Sequence, residues 1–186
     1  MKEHKKNLSV NKDWSLFLDR DGVINKRIPG EYIKRWEEFE ILPGTLEAIS
    51  RFSELFGKIF VVTNQQGIGK GQMTENDLLI IHDQMLNSVT NAGGKIDKIY
   101  HCPDLEKSGS FCRKPQIGMA LKAKKDYPSV NLKYAVMAGD SASDMKFGRD
   151  AGMITVLIGD DLSIAREHPD LVDFHFDDLR ALSLAL

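Results

Sequence analysis

The sequence predicts an α/β fold: a mostly parallel central sheet with helices on both faces. Three observations predict it. Short apolar runs recur along the 186-residue chain, helix-length patterns separate them, and polar residues collect where the runs end. Alternating strands and helices imply right-handed crossovers, and in such sheets ligands sit beyond the carboxyl ends of the strands, where the chain order reverses.

The elements follow in order. SLFLD (15–19) is a first strand ending in an acid, and a helical pattern over 45–55 leads to KIFVVT (58–63), a second strand of the same form. A helix over 75–91 precedes KIDKIYHC (95–102), whose alternation is that of a strand. Pro115 opens onto a helix over 118–126, YAVMAGD (134–140) is a fourth strand, a shorter helix lies near 143–151, and ITVLIG (154–159) is a fifth strand. Residues 1–13 read as a flexible basic leader and 14–186 as a single domain.

Composition excludes several classes. Forty-two per cent hydrophobic and 28% charged residues make a real core and no disordered chain. A net charge of −2 argues against coating nucleic acid or an anionic membrane. No apolar run approaches the roughly 18 residues of a membrane span, and the leader lacks an apolar signal core, so a cytoplasmic protein is expected. Two cysteines, Cys102 and Cys112, make no disulfide scaffold, although one loop brings them close enough in sequence to share a metal site.

The chemistry sits at the strand ends. Asp19 and Asp21 in Asp19-Arg20-Asp21-Gly22 are two carboxylates at i and i+2, which raise each other's pKa unless a cation lies beside them. A Mg²⁺ ion, which takes a few hard oxygens and leaves room for a phosphate, meets that need. It would leave one Asp a nucleophile and the other a general acid and base. Thr63, Asn64 and Gln65 offer a hydroxyl, amides and backbone N–H groups to phosphate oxygens without adding charge. Arg113 and Lys114 supply adjacent cations, Lys114 for Asp19 and a transferring phosphoryl group, Arg113 for a substrate phosphate. Asp140 completes the metal site, and Asp144, one helical turn on, stands behind it to orient a metal-bound water or Lys114. Each motif alone is compatible with a polar turn or a helix cap. Their conjunction and order are not.

Together LFLDRDGVIN (16–25), VVTNQQGIGKG (61–71), CRKP (112–115) and GDSASDM (139–145) resemble the four motifs of the haloacid dehalogenase superfamily of phosphatases. The wording is nearest to the branch of the D-glycero-D-manno-heptose 1,7-bisphosphate phosphatases and the histidinol-phosphate phosphatases. The resemblance implies a Rossmann-like three-layer sandwich and an aspartyl-phosphate mechanism. Asp19 is then the nucleophile, Asp21 the general acid and base, and Thr63 and Asn64 hold the phosphoryl group whose charge Lys114 balances. Mg²⁺ falls to the Asp19 carboxylate, the Asp21 main-chain oxygen and the Asp140 carboxylate. The implied substrate is a small sugar phosphate, foremost the heptose bisphosphate, with histidinol phosphate the alternative. A polynucleotide 3′-phosphatase and a non-catalytic binding protein are weaker readings, and a monomer is expected.

Spacing bears on the substrate. Thr63 follows Asp21 by 42 positions and Lys114 follows Asn64 by 50, intervals filled by ordinary strand and helix, which leaves no room for a large cap domain. The segment 26–39, with Arg27, Lys34, Arg35 and Trp36, is the expected rim, its cations suited to a second phosphate. The branch commonly carries a zinc loop of form Cys-x-His and Cys-x-Cys. Here Asp104 and Ser110 replace two of the four ligands, so no structural zinc is expected, nor a Cys102–Cys112 disulfide in a reducing compartment.

Overall fold

The sheet is built from strands apolar enough to be covered on both sides. In the computed structural model, which describes residues 8–186, β1 (Ser15–Leu18) is buried at every position. It is followed by α1 (Thr45–Leu55), β2 (Lys58–Asn64), α2 (Glu75–Asn91), β3 (Lys98–Cys102) and α3 (Gly118–Asp126). Then come β4 (Ala135–Gly139), α4 (Ala142–Asp150), β5 (Ile154–Ile158), α5 (Ser163–Glu167), β6 (Phe174–Phe176) and α6 (Leu179–Ala185). The six strands lie in the order β3-β2-β1-β4-β5-β6 and every neighbouring pair is parallel. The chain moves outward one way from β1 through β2 to β3, then returns to place β4 on the other side of β1. The switch point between β1 and β4 is therefore where a ligand crevice belongs.

Period-two alternation divides the core into two layers. Leu16 and Leu18 face one side, against Ile49 and Phe52 of α1, Leu78 and Met85 of α2 and Leu182 of α6. Phe17 faces the other, with Phe60 of β2, Met119 and Ala123 of α3, Met137 of β4 and Phe147 of α4. Two helices carry reciprocal N-terminal caps: Thr74 with Asp77 on α2, Ser141 with Asp144 on α4. The second of these helps build the site.

The elements depart from the sequence reading in three places. β3 begins at Lys98 rather than 95, because Asp97 is drawn aside to pair with Lys58 and Lys95. The carboxyl-terminal β6, α5 and α6 were not foreseen; β6 has three residues and α5 five, too short to set up a period. Of the expected flexible leader, residues 1–7 lie outside the described residues, and the rest is fastened down. Leu8 and Val10 pack on the core, and Lys12 Nζ donates to the Ser53 carbonyl at 2.9 Å. No large cap interrupts the two intervals; they hold a short 3-10 turn (Trp36–Glu38), α1 and β2 in the first, α2, β3 and a second 3-10 turn (Glu106–Ser108) in the other.

Phe52 has no exposed surface and meets Phe56 edge to face at 6.0 Å. Phe52→Ala is expected to cost about 3–5 kcal/mol in urea unfolding, the range for an aromatic removed from a packed core.

Candidate active site

Asp19 is the first residue beyond β1, its N–H donating to the Ala138 carbonyl at 2.9 Å, which continues the ladder to β4. It thus lies at the switch point, 5% exposed. Its Oδ1 accepts from the Arg20 N–H at 2.7 Å and lies 2.8 Å from Lys114 Nζ. Lys114 Nζ also donates to Asp144 Oδ1 at 2.5 Å. Asp144 is wholly buried, and its other oxygen accepts from the Ser141 N–H and hydroxyl. One buried cation is therefore held between two buried carboxylates. Burial works against the charged amine, but Asp144 and Asp19 more than compensate and raise its pKa.

Lys114 stands on the loop before α3, held by Asn64 at the end of β2. The Asn64 Oδ1 accepts from the Lys114 N–H and its Nδ2 donates to the Lys114 carbonyl, both at 3.0 Å. The expectation that the Asn64 side chain grips phosphate is thereby corrected, since its amide is spent on that backbone. Gln65 is corrected similarly. It is 1% exposed, and its Nε2 donates to Asp21 Oδ2 at 2.9 Å and to Thr63 Oγ1 at 2.8 Å, tying the two together.

Asp21 is fixed on several sides. Arg20 Nη2 donates to both its oxygens at 2.9 Å, and Asn25 Nδ2 to Oδ1 at 3.0 Å. Burial favours its neutral form, but the Arg20 charge and the hydrogen bonds from Arg20, Asn25 and Gln65 prevail and hold it below the usual carboxylate range. Arg20 itself is 1% exposed, and its Nη1 lies 3.3 Å from His82 Nε2. Burial, then the neighbouring Arg20, push His82 down to about 3, so it is neutral and its Nε2 accepts. Asn25 and His82 were missed by the sequence reading, as was the fixing of Asp21 by Arg20. Asn25 lies within a motif already noted, whereas a lone histidine on α2 carries no signal.

Asp19, Asp140 and Asp144 each offer a carboxylate oxygen, all within 4.8 Å of one another. Burial first, then Asp144, push Asp19 up to about 6 against the pull of Lys114. Burial, then Asp19 and Asp144, push Asp140 up to about 7. Such a set is short of positive charge, and its donors are the hard oxygens Mg²⁺ prefers. Asp144 has both oxygens engaged and stands behind the others. The main-chain oxygen of Asp21 faces the same place, since Arg27 Nη2 reaches it at 3.0 Å and Asp140 Oδ1 at 2.9 Å. Gly22 permits the approach: at φ +95°, a Cβ there would fall 2.0 Å from Asp140 Oδ2. The residues fit the ion.

Around them is a cavity of about 410 Å³ lined also by Thr63, Arg113, Ser141, Tyr32 and Lys70. Lys70 was not foreseen; its Nζ donates to the Tyr32 hydroxyl at 2.8 Å. The expected rim is only partly realised. Arg27 enters the cavity, whereas Lys34 pairs with Glu31, Arg35 with Glu38, and Trp36 stacks on Phe39. The loop from β3 to Arg113 also brings a correction. Its return sets the Cα atoms of Cys102 and Cys112 5.6 Å apart, and they form the disulfide that compartment reasoning argued against. Asp104 Oδ2 lies 3.9 Å and 3.5 Å from the two sulfurs. His101 turns away from them, as expected, to Glu75 at 2.8 Å.

Two outcomes follow from this geometry. Lys114→Met leaves two buried carboxylates with no cation between them and is expected to cost about 3–5 kcal/mol in urea unfolding. Asp19 and Asp140 bind protons more readily folded than unfolded, so between pH 3.8 and about 7 their contribution to stability falls as pH rises. Millimolar Mg²⁺, which holds them ionised, is expected to raise Tm by more than about 3 °C at pH 7.5 and by less than about 1 °C at pH 5 in thermal scans.

The HAD-hydrolase-like family model matches residues 111–182. The D-glycero-alpha-D-manno-heptose-1,7-bisphosphate 7-phosphatase of Campylobacter jejuni is 42% identical over 144 residues, covering 77% of this chain and 81% of that protein. The D-glycero-beta-D-manno-heptose-1,7-bisphosphate 7-phosphatase of Pseudomonas aeruginosa is 34% identical over 92% of this chain and 96% of its own length. Among solved structures, D,D-heptose 1,7-bisphosphate phosphatase from Bordetella bronchiseptica, complexed with magnesium and phosphate, superposes with a TM-score of 0.80 at 30% identity, covering 92% of this chain and 96% of that one. With its parallel sheet, its acids at the switch point and these relatives, the chain belongs to the haloacid dehalogenase-like phosphatases, in the family of the heptose-1,7-bisphosphate 7-phosphatases.

Proposed function

We propose that this chain removes the 7-phosphate of D-glycero-D-manno-heptose 1,7-bisphosphate, acting as a Mg²⁺-dependent monomer in the cytoplasm through an aspartyl phosphate on Asp19. The observation that carries the reading is the placement of Asp19 in the cavity wall, one oxygen fixed by Lys114 and the carboxylate close to the Asp140 carboxylate and the Asp21 main-chain oxygen. Phosphoryl transfer asks mainly for positioning and charge stabilisation, and this arrangement supplies both.

A carboxylate oxygen of Asp19 attacks phosphorus, the ester P–O bond breaks, and its electron pair goes to the leaving sugar oxygen. Asp21 gives that oxygen a proton. It then takes a proton from water, which attacks phosphorus, breaks the Asp19 O–P bond and releases phosphate. The environment of Asp21 favours its ionised form. A phosphate dianion entering beside it adds like charge and raises its proton affinity at the moment an acid is needed. The Asp19 and Asp140 carboxylates and the Asp21 main-chain oxygen would hold Mg²⁺, which supplies positive charge beside the phosphoryl oxygens. Thr63 would hold the phosphoryl group, and Arg113 and Lys70 would meet the second phosphate, all three lining the cavity.

Steady-state rates with the heptose bisphosphate, histidinol phosphate and other sugar phosphates at millimolar Mg²⁺ test the reading. The bisphosphate is expected to lead histidinol phosphate by at least about tenfold in kcat/KM, some 1.4 kcal/mol of transition-state binding. Preference for the amine-bearing substrate, or no activity on any of them, contradicts it. Asp19→Asn is expected to abolish turnover with the thermal transition retained.

A further inference from the structure

The oxygens that would hold the metal also hold a guanidinium. Arg27 Nη2 donates to the Asp21 main-chain oxygen at 3.0 Å and to Asp140 Oδ1 at 2.9 Å, and lies 3.8 Å from Asp19 Oδ2. One nitrogen that reaches all three groups lies in the space between them. An ion that needs oxygens at about 2.0–2.1 Å cannot share that space with it, and two cations there would repel each other. Arg27 is also free to leave: its side chain is 47% exposed, it springs from an irregular segment, and it lines the open cavity. Among the described residues, Lys70 and Arg113 of that cavity have no carboxylate within ion-pair distance; Lys70 meets the Tyr32 hydroxyl and Arg113 the Asp104 carbonyl. A guanidinium turned toward them adds a planar fork suited to a phosphate.

We propose that Arg27 is a specificity-determining residue that exchanges partners during binding: Mg²⁺ displaces it from the Asp21 and Asp140 oxygens, and the freed side chain takes the phosphate of a sugar bisphosphate that is not transferred. This rests on the phosphatase reading above. The exchange couples the two ligands. The ion binds a fraction of molecules from which Arg27 has withdrawn, and a second phosphate that holds Arg27 away raises that fraction, so ion and bisphosphate strengthen each other's binding. A substrate with one phosphate gains nothing from it.

Calorimetric titration of Mg²⁺ into the wild type and Arg27→Ala, with no substrate present, separates competition from a merely supporting role. The variant is expected to bind Mg²⁺ at least about fivefold more tightly. Its KM for the heptose bisphosphate is expected to rise tenfold or more relative to its KM for heptose 7-phosphate. Arg27→Gln, which keeps the length and loses the charge, is expected to behave alike and serves if the alanine variant fails to fold. Equal or weaker Mg²⁺ binding in the variants, or an equal rise in KM for both substrates, overturns the exchange and leaves the phosphatase reading standing. Absence of Mg²⁺ binding in every protein, wild type included, overturns both.

Discussion

The buried ion triplet Asp19–Lys114–Asp144 is the interaction on which the rest of the site depends. Three parts of the chain far apart in sequence meet in it: the end of β1, the loop before α3, and the first turn of α4. None of the three charges is tolerable alone at its depth, so each fixes the other two, and through them the ends of three separate segments. The supports extend outward. Ser141 caps α4 and holds Asp144, and Asn64 holds the backbone of Lys114. The same arrangement that orders the loops sets a carboxylate beside a fixed cation, which is what an attacking group for phosphorus requires.

A second arrangement runs parallel to it. Arg20, buried under Phe39 and backed by a neutral His82, clamps Asp21 together with Asn25 and Gln65. The two acids of one short motif thus sit in different surroundings. Asp19 is pushed up by burial and neighbouring acids, and Asp21 is held down by an arginine. Environments that drive two neighbouring carboxylates apart are the physical basis for giving them different work.

Much of this was legible in the sequence because the strands are short, apolar and end in acids. α1, α2 and α3 fall where their periodicity put them, and the strand-end residues Asp19, Thr63 and Asp140 converge because a parallel sheet brings its carboxyl ends to one edge. What escaped was whatever depends on contacts between distant segments. Asn64 and Gln65 have the right chemistry for phosphate, and only the fold shows their amides spent on Lys114 and Asp21. Lys34 and Arg35 read as rim cations until Glu31 and Glu38 are seen to claim them. Cys102 and Cys112 read as remnants of a metal loop, and the path of the chain brings them together as a disulfide with Asp104 beside it. Lys70 lay inside the motif 61–71 without being singled out, and His82 gave no signal, because a lone histidine on a helix has no pattern to betray it.

The central claim is that Asp19 carries the phosphoryl group. Quenching the enzyme in single turnover with a sugar phosphate and Mg²⁺, reducing with borohydride and sequencing the peptides by mass spectrometry tests it directly, since borohydride reduces an acyl phosphate to an alcohol and leaves free carboxylates alone. The account predicts reduction at position 19 and at no other acid. Reduction at another carboxylate, or none under conditions in which phosphate is released, would contradict it.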